Sequence, residues 1–514
     1  TQSALPCRVG AMARMLVALG GVLLAAGTGL ALGEEACDAC MDQVAALQAT
    51  WTNEAAVSDI LAGLEEQCRE EYPRDPVHRA VCDKVAEVKV QIPPALFEGM
   101  ETLAWPIPLG ACATFQLCSV PCCSEANAPE QVHLSLAAKD RSLMGVSWVT
   151  LDEVPSVVQF RKADSGDDFA TGTGTVTTYT QGGWVGSIHR ATMRGLEPDT
   201  TYSYRVGDGL DAWSAEAEFT TLPADPTEPL VFAVLGDMGY GDKSNGTIAA
   251  LEKLVNDKAI HGVIHSGDVS YADGFMPHWD VFLNKIQSIA SRVPYMVTPG
   301  NHELWYNFTA YKARFFMPGV LDEGGSGDNM YYSWQAGSAF FIAGNSETAA
   351  DTAWFSPQEQ EWMDAELAAV DRSATPFVVA HFHRPLYCSN SKQNARFGKL
   401  LQAQIEDMLN TRDVNLVIQA HVHSYERTYP MYKMNATQFD YVAPKAPTYI
   451  IQGSSGNRES NSGFPETLPE WSAAHTSEIG FGLLTVNPTS LDWSFFIVDG
   501  DGAATLEDQF QLQG

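Results

Sequence analysis

Five short polar segments, each placed where an apolar run ends, constrain the fold of this chain more than any other feature. The apolar runs are brief and continuous, as in Val231–Leu235, which is typical of strands buried on both faces. Stretches with helical periodicity, such as Thr247–Val255, lie between them. This alternation predicts an α/β domain, in which polar groups at the carboxyl ends of strands converge. The segments are Gly236–Gly239, Gly267–Tyr271, Gly300–Glu303, His381–Pro385 and His421–His423.

The five segments supply carboxylate, phenol, amide and imidazole groups, which are enough donors for two metal ions. A pair of cations can hold a phosphate ester, provide a hydroxide and stabilise the leaving oxygen. The sequence therefore predicts a metal-dependent phosphoesterase. The formal net charge of −32 argues against nucleic acid as a partner, because phosphate backbones are bound by Lys and Arg. A small phosphate substrate is compatible with this charge, since bound cations reverse the local field.

The N-terminal residues have the composition of a secretory signal. Met15–Leu32 is apolar and follows Arg8 and Arg14, so we expect residues 1–33 to be a cleaved signal peptide, with a retained membrane anchor as the alternative. Export leads either to secretion or to the lumen of an acidic or vacuolar compartment. Three sequons agree with export, and they predict glycosylation at Asn245, Asn307 and Asn435.

Six cysteines in residues 35–120 predict a helical domain held by disulfides, because cysteines of exported chains usually pair. Their spacing alone leaves fifteen pairings open. The segment resembles the saposin B-type domain, and the resemblance implies the pairs Cys37–Cys118, Cys40–Cys112 and Cys68–Cys82. It also implies contact with a lipid or membrane surface, with a structural or propeptide-like role as the alternative. Three further cysteines have no assigned partner: Cys122, Cys123 and Cys388.

The chain changes character twice after the cysteine-rich segment. Residues 129–222 show short alternating runs between Gly- and Asp-rich turns, which predict an all-β domain, and Leu196–Tyr204 resembles a strand entry of a fibronectin type III sandwich. A proline-rich linker, Leu222–Pro229, leads into the α/β region. We expect residues 230–440 to form the catalytic domain and residues 441–514 to complete it with further strands. The predicted architecture is multidomain, with an all-α, an all-β and an α/β domain in that order.

The five segments, in this order, resemble the motif set of the purple acid phosphatases, a branch of the binuclear metallophosphoesterases. The last segment is extended to His421–Arg427, which is typical of that family, and the resemblance spans roughly residues 129–512. It implies an α/β catalytic domain with a β-sandwich core flanked by helices. It also implies an exported acid phosphatase that hydrolyses phosphate monoesters through a metal-bound hydroxide. The implied cofactors are one Fe(III) and one divalent ion, which is zinc, iron or manganese.

The same resemblance assigns the seven candidate ligands. It implies that one set of three binds Fe(III), that a second set binds the divalent ion, and that Asp268 bridges the two. The first set is Asp237, Tyr271 and His423, and the second is Asn301, His383 and His421. The chemistry of the donors agrees with this division, because phenolate and carboxylate suit Fe(III), whereas imidazole and amide suit zinc, Fe(II) or manganese.

Three residues beside the ligands leave alternatives open. His381 is the alternative to His383 as the metal ligand of the fourth segment. If His383 is the ligand, His381 is either a partly buried histidine or a hydrogen-bond partner of a ligand. His302 is the candidate catalytic residue, which orients the phosphate or protonates the leaving alkoxide. Arg384 either contacts a phosphate oxygen or forms a structural salt bridge. The stretch Tyr387–Asn394 has no histidine where some members of the family have a pair, so the proton donor and the substrate preference stay open.

A second enzyme class shares part of this layout. A saposin-like domain before a metallophosphoesterase is also the arrangement of acid sphingomyelinase, which cleaves a lipid phosphodiester. That branch has a histidine where this chain has Gly239, and it lacks a tyrosine at the position of Tyr271. We therefore expect phosphatase chemistry on a small phosphate ester, with a lipid phosphodiesterase as the alternative.

Overall fold

The structure, a computed structural model, describes residues 120–166, 168–348, 354–390, 398–459 and 461–514. The predicted signal peptide and the three predicted saposin-type disulfides lie outside these residues, as does nearly all of the predicted saposin-like domain. Among the described residues, no helix has both the length and the apolar character needed to cross a membrane. Cys122 and Cys123 form a disulfide between adjacent residues, and the sulfur of Cys388 lies 2.9 Å from Asn390 Oδ1.

The described chain up to residue 220 is built from strands, as its alternating apolar residues predicted. These strands are β1 (Val120–Pro121), β2 (Glu130–Leu136), β3 (Leu143–Thr150), β4 (Val157–Lys162), β5 (Ala170–Thr177), β6 (Trp184–Val185), β7 (Ser187–Arg194), β8 (Thr201–Gly207) and β9 (Ala217–Thr220). Seven of them form an antiparallel sheet in the order β2-β3-β7-β5-β4-β8-β9. Strand β5 pairs with β4 along its first residues and with β7 along its last residues. Gly174 lies at this change of partner, where a Cβ atom would overlap the carbonyl group of Arg190.

The rest of the described chain forms one α/β domain. Its strands are β10 (Leu230–Leu235), β11 (Gly262–Ser266), β12 (Tyr295–Thr298), β13 (Tyr332–Ala336), β14 (Ala339–Ala343), β15 (Phe377–His381), β16 (Leu416–Gln419), β17 (Tyr425–Thr428), β18 (Met431–Tyr432), β19 (Asn435–Ala436), β20 (Thr448–Gln452), β21 (Ser472–Thr476), β22 (Gly480–Val486), β23 (Ser490–Val498) and β24 (Ala504–Gln513). Its α-helices are α1 (Asn245–Asn256), α2 (Pro277–Ala290), α3 (Thr309–Arg314), α4 (Pro357–Ala368) and α5 (Asp407–Thr411), the last preceded by a π-helical turn, Gln402–Glu406.

Two sheets form the centre of this domain. One has the order β12-β11-β10-β22-β23-β24, and the other has the order β13-β14-β15-β16-β20-β17-β21. Strands β10, β11 and β12 are parallel in the first sheet, and β14, β15, β16 and β20 are parallel in the second. Aromatic contacts join the sheets, because Phe232 of β10 lies 5.4 Å from the ring of Trp334 and 5.6 Å from that of Phe341. The predicted α/β domain is confirmed, and its strands are divided between two facing sheets.

A buried polar network joins the β domain to the α/β domain. Asp280 of α2 accepts hydrogen bonds from Gln131 and Trp184 of the β domain, both at 3.0 Å. Its carboxylate also lies 2.9 Å from Nη1 of Arg314, whose side chain is 0% exposed. Arg314 in turn donates to the hydroxyl of Tyr179 in the β domain. Because buried charges must be paired and hydrogen-bonded, this network fixes the two domains against each other.

Candidate metal centre

The candidate ligands follow strands whose carboxyl ends meet at one edge of the α/β domain. Strands β10, β11 and β12 end just before the first three polar segments, and β15 and β16 end in or just before the other two. Parallel neighbours within each sheet point the same way, so the loops after them lie side by side. The structure brings all seven candidate ligands together in this way, as two adjoining groups.

The first group consists of the three predicted ferric ligands. The hydroxyl of Tyr271 donates to Asp237 Oδ1 at 3.0 Å and lies 3.0 Å from His423 Nε2. The remaining side of the triangle, from His423 Nε2 to Asp237 Oδ1, measures 3.4 Å. One phenol, one carboxylate and one imidazole therefore converge on a single point, although they come from loops after three different strands.

The second group surrounds His383. Its Nε2 lies 3.1 Å from Asp268 Oδ2 and 3.2 Å from Asn301 Oδ1. Its Nδ1 lies 3.0 Å from the carbonyl oxygen of Ser266, which fixes the ring and leaves Nε2 toward the centre, the arrangement usual for metal-bound histidine. The ligand atoms of Asp268, His383 and His421 all lie within 4.8 Å of one another.

Four of the candidate ligands have left-handed backbone conformations that favour glycine. The φ angles are 54° at Asp237, 50° at Asp268, 55° at Tyr271 and 67° at His421. Such conformations cost on the order of 1–3 kcal/mol each and persist only where the surrounding structure enforces them. Asp237 provides part of that enforcement, because its Oδ2 accepts a 2.7 Å hydrogen bond from the backbone N–H of His421. These strained conformations lower the stability of the fold, but they direct the four side chains toward the same place.

The electrostatics of the two groups favour bound cations. Burial raises the pKa of Asp237, and burial together with Asp237 and Asp268 raises the pKa of Tyr271 well above its usual value. At Asp268 burial acts in the same direction, but the neighbouring His383 and His302 outweigh it and hold the pKa well below its usual value. Buried acidic groups that converge without a cation oppose each other's ionisation. Hard oxygen donors beside imidazoles therefore fit a pair of metal ions.

His302 lies against the centre without belonging to either group. Its ring lies 4.2 Å from that of Tyr271 at a tilt of 35°, and its Nε2 lies 3.8 Å from Asp268 Oδ2. The opposite nitrogen, Nδ1, lies 2.5 Å from Asp273 Oδ1, which fixes the ring. Burial lowers the pKa of His302, but Asp273 and Asp268 outweigh it and raise the pKa well above its usual value. The geometry suits a histidine that holds a proton toward the centre.

The fourth segment contains two histidines, and only His383 lies among the candidate ligands. His381 ends β15 inside the core, with its ring 6.4 Å from that of Tyr332. Neither ring nitrogen has a hydrogen-bond partner among the described residues, and burial lowers its pKa to about 3. His381 is therefore fully buried rather than partly buried as expected, and it hydrogen-bonds to no ligand.

Four charged residues that the sequence analysis did not single out lie around the centre: Asp273, Glu347, Arg458 and Glu459. Asp273 could have been found just after the second segment, two residues beyond Tyr271. Glu347 follows β14, and Arg458 and Glu459 follow β20. These strands run parallel to their neighbours β15 and β16, so polar residues after their carboxyl ends were also expected at this edge. Glu459 lies 3.7 Å from His302 Nε2 and 3.8 Å from His423 Nε2, and Arg458 is paired with Asp273.

Two of the three predicted glycosylation sites begin regular elements, Asn245 at the start of α1 and Asn435 at the start of β19, and Asn307 lies in a turn before α3. Asn245, Asn307 and Asn435 are all exposed. The structure therefore leaves each of them accessible to solvent, and their glycosylation stays a prediction.

Family models match three consecutive ranges of the chain. The description "Purple acid Phosphatase, N-terminal domain" matches residues 129–221, and "Calcineurin-like phosphoesterase" matches residues 230–425. The description "Iron/zinc purple acid phosphatase-like protein C" matches residues 446–506. These ranges cover the β domain, most of the α/β domain and its C-terminal strands.

Individual proteins resemble the chain over most of their length. Purple acid phosphatase 18 of Arabidopsis thaliana is 34% identical over 386 residues, covering 73% of this chain and 83% of that protein. Acid phosphatase type 7 of Homo sapiens is 32% identical over 399 residues, covering 73% and 89%. The solved structure of purple acid phosphatase PPD1 from yellow lupin (Lupinus luteus) seeds is similar with a TM-score of 0.67 at 23% identity, covering 75% of this chain and 74% of that one. That structural likeness concerns the fold alone.

Proposed function

Because the chain belongs to the purple acid phosphatase family, we propose that it hydrolyses phosphate monoesters at a centre of one Fe(III) and one divalent metal ion. The observation that carries the proposal is the convergence of Asp237, Tyr271 and His423. A phenol oxygen in such a group is a ligand for a strongly Lewis-acidic cation. The divalent ion would be held by Asn301, His383 and His421, with Asp268 between the two sets.

The chain's own residues have separate parts in this reaction. When bound, the two cations supply Lewis acidity and activate water as the nucleophile. His302 orients the phosphate and holds a proton at Nε2 for the leaving oxygen, within reach of the centre. Asp273 keeps the imidazole in this orientation through Nδ1. The ligand loops keep the donors preorganised, so that little reorganisation accompanies the reaction.

Gly239 argues against the alternative lipid phosphodiesterase. It has a φ of 70°, and a Cβ atom at this position would lie 3.0 Å from the ring of Tyr271. Tyr271 thus lies directly against the position from which a histidine side chain would start. This packing supports the monoesterase proposal, because a histidine at position 239 would be crowded by Tyr271 and strained by the left-handed backbone.

We also propose that the protein is exported, either secreted or delivered to an acidic compartment. The signal-like N-terminus and the three sequons support this proposal, and all three sequon asparagines are exposed. An acidic compartment suits a ferric centre, because a more acidic cation keeps bound water ionised at lower pH.

The decisive experiment is the visible absorption spectrum of the purified protein, together with metal analysis. Burial and two carboxylates raise the pKa of Tyr271, so its phenolate forms only on a strongly Lewis-acidic cation. We expect two metals per chain and a broad tyrosinate-to-iron band that Tyr271→Phe abolishes. Tyr449→Phe is the matched control, because the Tyr449 hydroxyl is buried without a hydrogen-bond partner among the described residues. A colourless, zinc-only protein that hydrolyses phosphodiesters would contradict the proposal.

A further inference from the structure

Arg384 directly follows the ligand His383, and its guanidinium group is fixed on three sides. Both carboxylate oxygens of Glu347 lie at its Nε, at 2.8 and 2.9 Å. The plane of Trp354 lies under it, with the guanidinium carbon 4.3 Å from the ring centroid. On the side facing the centre, Nη1 lies 3.0 Å from His421 Nε2. The side chains are almost completely buried, with exposed fractions of 7% for Arg384 and 0% for Glu347.

The backbone around this pair is also held in place. Ser346 Oγ accepts a hydrogen bond from the backbone N–H of Arg384 at 2.9 Å, and Gln419 Nε2 donates to its carbonyl oxygen at 2.9 Å. The backbone N–H of Glu347 donates to Asn345 Oδ1 at 3.0 Å. A buried ion pair is weak evidence of a stabilising role, because desolvation offsets much of its attraction. The ordered surroundings instead indicate that the orientation of the guanidinium group matters.

The contact between Arg384 and His421 cannot survive metal binding. A guanidinium group has only N–H donors, so His421 Nε2 must be the acceptor, with the ring proton on Nδ1. If a metal binds Nε2, the lone pair that accepts the hydrogen bond is used. If a metal binds Nδ1, the proton moves to Nε2, and two donors face each other. In either case Nη1 loses the His421 acceptor, while Glu347 and Trp354 keep the guanidinium group at the edge of the centre.

We propose that Arg384 binds a terminal oxygen of the substrate phosphate in the metal-loaded protein, and that Glu347 is its positioning residue. This inference rests on the proposed function. The guanidinium group of arginine presents N–H donors in a rigid, planar fork. It matches phosphate oxygens in geometry and charge. The two alternatives for Arg384 are then compatible. The salt bridge with Glu347 holds the side chain, and the terminal nitrogen Nη1 binds the substrate.

The arrangement selects monoesters over diesters. A monoester has three terminal phosphate oxygens, whereas a diester has two. The cations, when bound, would also take terminal oxygens, so a monoester would leave one more oxygen for Arg384 than a diester does. A site built to hydrogen-bond a group discriminates strongly against substrates that lack it. Arg384 is thus a specificity-determining residue for the dianionic phosphate monoester group.

The test compares Arg384→Ala, Arg384→Lys and Glu347→Gln with the native protein. The main readout is the dissociation constant of inorganic phosphate, measured by calorimetry on protein of known metal content. The second readout is kcat/KM for p-nitrophenyl phosphate and for bis(p-nitrophenyl) phosphate. Arg412→Ala is the matched control, because Arg412 also forms a two-point pair with a carboxylate, at 2.8 Å from both oxygens of Asp364.

We expect Arg384→Ala to bind phosphate about 10- to 100-fold more weakly, which corresponds to one charge-assisted hydrogen bond. Its kcat/KM for the monoester should fall by a similar factor, with a smaller change for the diester and both metals retained. Glu347→Gln should shift both readouts in the same direction by less, because Arg384 remains but is less well held. The Arg412→Ala control should bind phosphate like the native protein.

Unchanged phosphate affinity and an unchanged monoester-to-diester ratio in fully metallated Arg384→Ala would overturn the inference. If Arg384→Ala loses metal, Arg384→Lys supplies the comparison, since it keeps the charge and most of the packing. Loss of metal from both variants would also overturn the inference and assign Arg384 to the support of His421. Failure of the proposed function has a different signature, because the native protein itself would then lack metal or phosphatase activity.

Discussion

A single methyl group added at Gly300 should displace Asp268, the predicted bridging ligand. Gly300 has φ −113° and ψ −174°, an extended conformation that alanine adopts without strain. Its Cβ atom, however, would lie 2.8 Å from the carboxyl carbon of Asp268 and closer still to the Oδ1 and backbone nitrogen of that residue. The effect of Gly300→Ala is therefore steric, and it acts on one ligand.

The size of the effect follows from this distance. Non-bonded carbon atoms rest at about 3.5–4.0 Å, so the Asp268 carboxylate must move by roughly 1 Å. A displacement of about 1 Å at a catalytic centre costs on the order of 10²-fold in rate. Overpacking in a rigid interior costs about 1–3 kcal/mol of unfolding free energy. We expect Gly300→Ala to lower kcat/KM about 100-fold, to bind fewer than two metals and to unfold at lower urea concentration.

The assay combines hydrolysis of p-nitrophenyl phosphate, metal analysis and urea unfolding. Gly500→Ala is the control, because a Cβ atom there meets nothing within 4 Å and the backbone has no left-handed conformation. Such a replacement should be neutral or stabilise the fold by about 0.4–1 kcal/mol through the unfolded state. The reasoning is refuted if Gly300→Ala keeps two metals and the activity of the control.

Three further predictions concern stability, pH and metal removal. Asp280→Ala removes the carboxylate that pairs with the buried Arg314 between the domains, and it should cost about 3–5 kcal/mol of unfolding free energy. The control, Glu197→Ala, removes an exposed ion pair and should cost at most about 1 kcal/mol. Equal losses on urea unfolding would contradict this prediction. Burial lowers the pKa of His189 to about 4, so between about pH 6.5 and pH 4 only the unfolded state binds a proton at this residue. The contribution of His189 to the unfolding free energy is therefore fully present above about pH 6.5, and it should fall by roughly 3 kcal/mol toward pH 4. Unfolding curves of His189→Gln should show a flatter pH dependence, and an unchanged slope would assign the effect elsewhere. A chelator should abolish activity and lower the unfolding temperature. A cation restored at about 100 times its dissociation constant should return about 2.7 kcal/mol of unfolding free energy. Retained activity without metal would refute the two-metal proposal.

The strands that lead into the centre could be predicted because their signals are local. A continuous apolar run such as Leu230–Leu235 that stops at Gly236 and Asp237 marks both the strand and its functional end. The rule that polar groups gather at carboxyl ends of parallel strands then supplies the convergence without knowledge of the fold. Because that rule depends on strand direction alone, it holds even though β10–β12 and β15–β16 belong to different sheets.

The supporting residues could not be predicted because their partners are remote in sequence. Glu347 acquires its meaning only when β14 pairs with β15 and brings it beside Arg384. His381 and His383 are equally polar in the sequence, and only the end of β15 at His381 decides which of them lies among the candidate ligands. Such choices depend on register and tertiary contacts, which a single segment does not contain.

The extension of the fifth segment, from His423 to Arg427, shows how the C-terminal strands serve the centre. Tyr425 and Arg427 lie two residues apart in β17, so their side chains are on the same face of the strand. Both bind Asp508 of β24: the Tyr425 hydroxyl donates at 2.7 Å, and Arg427 donates through Nε and Nη2 at 2.7 and 2.8 Å. The loop carrying His421 and His423 is thus tied to the last strand of the chain.

Glu426 points to the opposite face of β17 and ties the same strand to the loop after the fourth segment. It accepts hydrogen bonds from the backbone N–H and the hydroxyl of Ser389, and from the hydroxyl of Ser472 at 2.6 Å. One strand therefore fixes the two loops that carry His383, His421 and His423 relative to each other. Because a displacement of about 1 Å at such a centre costs orders of magnitude in rate, we infer that these residues matter through position rather than through contact with the substrate. The C-terminal strands therefore help to position the candidate ligands, although they contribute none themselves.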